Sequence, residues 1–93
     1  REFYSAFVAA VRKSSATARE KLLVRMLVAV SPKALAAVED FVVGRLAEDK
    51  GVSSYESLED AVAAAGGWES FIDYIIENWD EIFEIIMTII GLF

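Results

Sequence analysis

Apolar residues recur at steps of three and four along nearly the whole chain, and the two-residue alternation of a strand is almost missing. In "REFYSAFVAAVRK" Phe3, Phe7 and Val11 stand four apart with Tyr4 and Val8 beside them, which is one face of an amphipathic helix. Arg12 and Lys13 close that helix, where cations suit its dipole. Ser14 and Ser15 interrupt the pattern. Thr17 with Glu20 three positions later then forms a capping box, the side chains of which satisfy free N–H groups at a helix start. The helix it opens, "AREKLLVRMLVAV", is expected to turn Leu22, Leu23, Met26, Leu27 and Val30 toward the core.

Ser31 and Pro32 mark the clearest boundary. Serine caps, and proline at the first helical position has a preset φ and no donor to waste. A helix is predicted from Pro32 to about Asp49, with Leu35, Val38, Phe41, Val42 and Leu46 inward. Gly44 interrupts its pattern, as a close backbone approach or as a weak point. Lys50 and Gly51 terminate it as a basic last turn and a left-handed cap. "SSYE" repeats the capping-box spacing, with Ser53 as cap and Glu56 at N3, and predicts a short helix to about Ala65 carrying Tyr55, Leu58 and Val62 on one side. Gly66 and Gly67 stop it. The last helix is predicted to start at Trp68 and continue unbroken almost to the end. The expected fold is all-α: a compact four-to-five-helix bundle over residues 1–93, with a long C-terminal amphipathic helix and connections of two to four residues.

That last helix has a face that changes character. Asp73, Glu77, Asp80, Glu81 and Glu84 fall within an arc of roughly 100°. Phe71, Ile72, Ile75, Ile76, Trp79, Ile82, Phe83 and Ile86 lie opposite. Beyond Glu84 the charges cease, and Ile85, Ile86, Met87, Ile89, Ile90, Leu92 and Phe93 leave the helix apolar nearly all round. Such a helix is buried on every side. The uncharged tail spans only about 13 Å as helix, too little for a bilayer, and lengthening it backward brings acids into hydrocarbon at roughly 2.5–3.5 kcal/mol each. No simple transmembrane helix is expected, and Arg25 within the second helix argues against a span or a secretory signal there. The chain begins at Arg1, as a processed product or a piece of something longer would.

Composition sharpens this. Ninety-three residues build a modest core, yet 56% of them are hydrophobic. The excess predicts a surface covered by a neighbour, and it excludes disorder. Cysteine and histidine are both absent, which removes disulfides, thiol chemistry and the usual neutral-pH base. Net charge is −6, unevenly spread. All nine cations lie in residues 1–50, where they leave an excess of three, whereas residues 51–93 hold nine acids and no Lys or Arg. A solvated acidic face is one reading of this split; complementarity between the halves of one fold, or between subunits, is the other.

No motif for chemistry emerges. The acids lack the Glu-x-x-His partners of di-metal bundles and the loop of an EF-hand. A single helix stripe does not make the cleft that glycoside hydrolysis requires. Without histidine no Ser-His-Asp triad forms, and Gly66-Gly67 lacks the spacing and lysine of a phosphate loop. No cofactor, metal or catalytic residue is assigned. Arg12, Lys13, Arg19, Lys21 and Arg25 cluster, but a sequence pI near 4.5 weighs against nucleic acid. Trp68 and Trp79 read as core or interface anchors ahead of membrane anchors.

The expectation is therefore a non-enzymatic assembly or interaction protein, a homo-oligomer or a structural subunit of a larger complex. Its expected interface is the end of the last helix: Trp79, Ile82, Phe83, Ile85, Ile86, Met87, Ile89, Ile90, Leu92 and Phe93. The alternatives are a membrane-active protein that inserts this helix and an acidic inhibitor or mimic that covers a basic surface.

Overall fold

The computed structural model describes residues 2–91. It contains six helices: α1 Glu2–Lys13, α2 Ala18–Val30, α3 Pro32–Lys50, α4 Leu58–Ala65, α5 Trp68–Glu77 and α6 Trp79–Ile90. No strand occurs among the described residues. The all-α expectation stands, but the helix count and the long C-terminal helix do not.

The difference in count comes from Asn78. Its backbone sits at φ −103°, ψ 19°, outside the helical basin. Its side-chain Nδ2 donates to the Tyr74 carbonyl at 2.9 Å, and its N–H donates to the Ile75 and Tyr74 carbonyls. Asparagine competes for backbone partners in this way, which is why it ends helices more often than it continues them. The expected acidic stripe is accordingly split: Asp73 and Glu77 belong to α5, and Asp80, Glu81 and Glu84 to α6.

A second correction concerns α4. It starts at Leu58 with Ser57 as its cap, the Ser57 hydroxyl accepting from the Asp60 N–H at 3.1 Å. The Ser53–Glu56 capping box does not form. Tyr55 packs against the core from within the irregular 51–57 connection, ahead of the Ser57 cap.

The other boundaries follow their chemistry. Thr17 and Glu20 form the reciprocal capping box of α2, at 2.9 and 3.1 Å. The Ser31 hydroxyl accepts from Ala34 N–H, with Pro32 at N1 of α3. Gly51 takes the left-handed conformation at φ 74°, which lets Val52 N–H reach back to the Ala47 carbonyl.

The core gathers one face from every helix. Phe3, Phe7 and Val11 of α1, Val38, Val42 and Leu46 of α3, Phe71 and Ile75 of α5, and Ile82 and Ile86 of α6 are all buried. Aromatic rings join the ends of the chain: Phe3 meets Phe71 edge-on at 6.3 Å, and Phe7 lies against Trp79 at 6.3 Å. Such pairs each contribute about 0.5–1.5 kcal/mol beyond the area they bury. α1 packs on α5, and α3 on α6, with α2 at the margin.

Candidate interaction surfaces

The orientation of α2 differs from that expected. Val24 and Val28 are its buried residues, Leu27 is half-buried, and Leu22, Leu23, Met26 and Val30 face outward. The helix is apolar on two sides, so its sequence alone leaves the rotation undetermined. Two contacts accompany the orientation found. The Lys21 ammonium donates to the Arg12 carbonyl at 2.9 Å, satisfying a free carbonyl at the end of α1. The capping box meanwhile fixes the first turn. With Lys21 turned to α1, residues three and seven further on, Val24 and Val28, share its inward side. Their small β-branched side chains give α2 a close seat against the core.

What faces out is unusually apolar. Leu22 is 61% exposed, Met26 57% and Val30 77%, and their four-residue spacing aligns them as one ridge flanked by Leu23 and Ala29. Fully burying a leucine or methionine contributes about 1.5–3 kcal/mol, so a solvated ridge forfeits several kcal/mol. The charges beside it are cationic: Arg19 and Arg25 on α2 and Lys33 at the start of α3. Glu20, the only acid of α2, turns back to accept from the Thr17 N–H.

A second apolar surface lies where the start of α5 meets α1. Trp68, 40% exposed at the start of α5, joins Ile72, Ser5 and Glu2 around an open depression of about 350 Å³. Trp68 lies edge-on against Phe71 at 5.9 Å. Glu69 follows it in the chain and is exposed. The Glu2 carboxyl is pushed up by sharing a hydrogen bond with Glu59 and by that neighbour's charge. Ser5 also lines a groove of about 450 Å³ formed with Tyr4, Val28, Ala29, Pro32 and Leu35, so α1 separates the Trp68 depression from the edge of the α2 ridge.

The residues expected at the interface fall into three groups. Ile82, Ile86 and Met87 are buried in the chain's own core. Trp79, Phe83, Ile85, Ile89 and Ile90 are half-buried, with Trp79 packed on Phe7 and Phe83. Leu92 and Phe93 lie outside the described residues. The fold thus shelters the middle of α6 and leaves the α2 ridge in solvent, where sequence reasoning placed the exposed apolar surface at the other end of the chain. The signal that could have found the ridge is the all-round apolarity of α2 together with the small size of Val24 and Val28.

The acidic stripe touches the basic half twice. Lys13 pairs with Asp73 at 3.5 Å and Arg45 with Glu81 at 3.1 Å. Both pairs are well exposed and contribute little, typically 0–1 kcal/mol. The Arg45 guanidinium also lies 5.8 Å from the Phe41 ring centre. Beside it the Tyr74 hydroxyl donates to the Asp49 carboxylate. Burial, then that hydrogen bond and the carboxylate's charge, push the Tyr74 phenol well above its ordinary range. Asp73 and Glu77 line an open depression with Asp49, Lys50 and Tyr74. Asp80 and Glu84 line another with Ser15, Ala16 and Glu20. Among the described residues no three acidic side chains converge as a metal ion would require, and no helix is long and apolar enough to cross a membrane.

Compared with known proteins, the chain matches no family model, no curated protein and no solved structure.

Proposed function

We propose that this chain is a non-enzymatic assembly protein, which associates with copies of itself or seats in a larger complex through apolar helix surface. The observation that carries the reading is the outward ridge Leu22–Met26–Val30, a continuous apolar strip on a helix whose other face already serves the core. Exposed strips of this kind, rimmed by polar residues, mark contact surfaces. The half-buried Phe83, Ile85, Ile89 and Ile90 on α6 offer further apolar surface to a partner, as the sequence suggested. No substrate, cofactor or reaction enters this reading.

The test is sedimentation velocity of the wild-type chain and of a Leu22→Ser, Met26→Ser variant across a hundredfold concentration range. Association that the variant weakens supports the proposal. A wild-type chain that stays a dispersed monomer at several hundred micromolar contradicts self-association.

A second reading follows from the cations beside the ridge. A helix with Leu and Met on one face and Arg or Lys around it suits an anionic lipid surface. Vesicle flotation with and without phosphatidylserine tests it, and absence of binding to either eliminates it. The net charge of −6 opposes this reading, because the remainder of the molecule is repelled by the same lipids.

A further inference from the structure

We infer that the occupant of the α2 ridge is the Trp68 surface of a second copy of the chain. The inference rests on the reading of α2 as a contact face and names what that face binds. Charge complementarity selects the occupant. The ridge carries Met26 and Leu22 between Arg19 and Arg25, and the only acid on its helix is engaged by the N-cap. The Trp68 surface carries Trp68 and Ile72 with Glu2 of α1 on one side and Glu69 on the other; Trp68, Glu69 and Ile72 come from residues 51–93, which hold no Lys or Arg. Each offers apolar area with a rim of the opposite sign, so each is suited to the other and unsuited to itself. Two ridges placed together would set Arg19 and Arg25 against like charges, and two Trp68 surfaces would do the same with Glu2 and Glu69.

Shape agrees with charge. The ridge is convex, three side chains standing one above another on a helix, whereas the Trp68 surface is an open depression walled by α1 and α5. Trp68 is a large aromatic packed edge-on against Phe71, the kind of side chain that anchors interfaces. Ser5 of α1 borders both the depression and the groove beside Ala29, so α1 lies between the two surfaces. In the proposed dimer a two-fold axis exchanges ridge and depression at once, so that the contact closes without propagating into a fibre.

Sedimentation equilibrium of two variants and their mixture tests this. Met26→Glu puts an acid on the ridge, and Trp68→Lys puts a cation in the depression. Alone, each variant opposes like charge to like, and its dimer Kd is expected to rise more than about tenfold. Mixed one to one they keep one native contact and gain an opposite-charge pair at the other, so the two-chain mass returns. Circular dichroism checks that each remains helical; should Trp68→Lys lose helix, Glu69→Lys, at an exposed residue, replaces it. Wild-type dimers, monomeric single variants and a dimeric mixture establish the pairing. Dimers lost with Met26→Glu but kept with Trp68→Lys overturn the pairing while α2 remains a contact face. A wild-type chain that is monomeric at several hundred micromolar overturns the pairing, as does one that leaves solution only on phosphatidylserine vesicles. Association indifferent to both substitutions overturns the pairing and the contact-face reading together.

Discussion

Leu22 and Val24 stand two residues apart on α2 and end in opposite surroundings, Leu22 61% exposed and Val24 fully buried. The larger hydrophobe is outside and the smaller one inside. Were packing within this chain the only demand on α2, the reverse arrangement would bury more apolar area. The inversion gives two substitutions opposite expected weights. Val24→Ala removes buried methyl groups and leaves a cavity, at a cost of roughly 2 kcal/mol. Leu22→Ala should stay within about 0.5 kcal/mol, as surface changes usually do. Urea unfolding at low protein concentration, where association is minimal, measures both.

Gly44 lies in α3 with open space around the position a Cβ would take. It is a weak point and makes no close backbone approach. Gly44→Ala is expected to stabilise the fold by about 0.5–1 kcal/mol. For a domain of this size that is a rise of several degrees in Tm, which calorimetry detects. An unchanged or lower Tm would mean that Gly44 is needed for something other than the helix.

The core role of α6 makes truncation costly. Ile86 is fully buried and Met87 nearly so, and Ile86→Ala alone should lose about 2–5 kcal/mol. Removal of residues 85–93 is therefore expected to abolish cooperative unfolding. A shortened chain that retained wild-type helicity and a sharp transition would show that the end of α6 is dispensable.

Tyr74 predicts an alkaline weakness. Its phenol is raised in the fold by burial and by Asp49, so above about pH 10, the ordinary tyrosine pKa, the unfolded chain releases a proton that the folded chain keeps. The folded state then binds more protons than the unfolded one, and stability falls as pH rises. Tyr74→Phe should remove that part of the slope. Ultraviolet titration should also find the Tyr74 phenol resistant to ionisation until the fold opens.

The capping signals were legible because they are local. Thr17–Glu20, Ser31–Pro32 and Gly51 each act within one turn, and each formed as spaced. The core faces of α1 and α3 were legible for the same reason, since Phe3, Phe7, Val38 and Val42 lie on single clear stripes. What escaped depends on contacts between elements. The cap of α4 falls on Ser57 with Tyr55 packed on the core ahead of it, and α2 turns with Lys21 on the Arg12 carbonyl, contacts between elements that no periodicity encodes. Asn78 was legible in principle, as a helix-ending residue, but it was outweighed by strong apolar periodicity on both sides. Of the expected interface residues, Ile82, Ile86 and Met87 are covered by their own chain, whereas Trp79, Phe83, Ile85, Ile89 and Ile90 stay half-buried, a division that depends on packing between helices.

In the proposed assembly the outward face of α2 is covered by a neighbouring molecule. The chain holds two methionines, one at each extreme: Met26 on the ridge, 57% exposed, and Met87 buried at 4%. Methyl-labelled methionine followed by NMR from micromolar to millimolar concentration reads both at once, with Met87 as the internal control. The Met26 methyl signal is expected to shift and broaden with concentration while Met87 stays in place. A Met26 signal that is sharp and unmoved across the whole range would contradict the account.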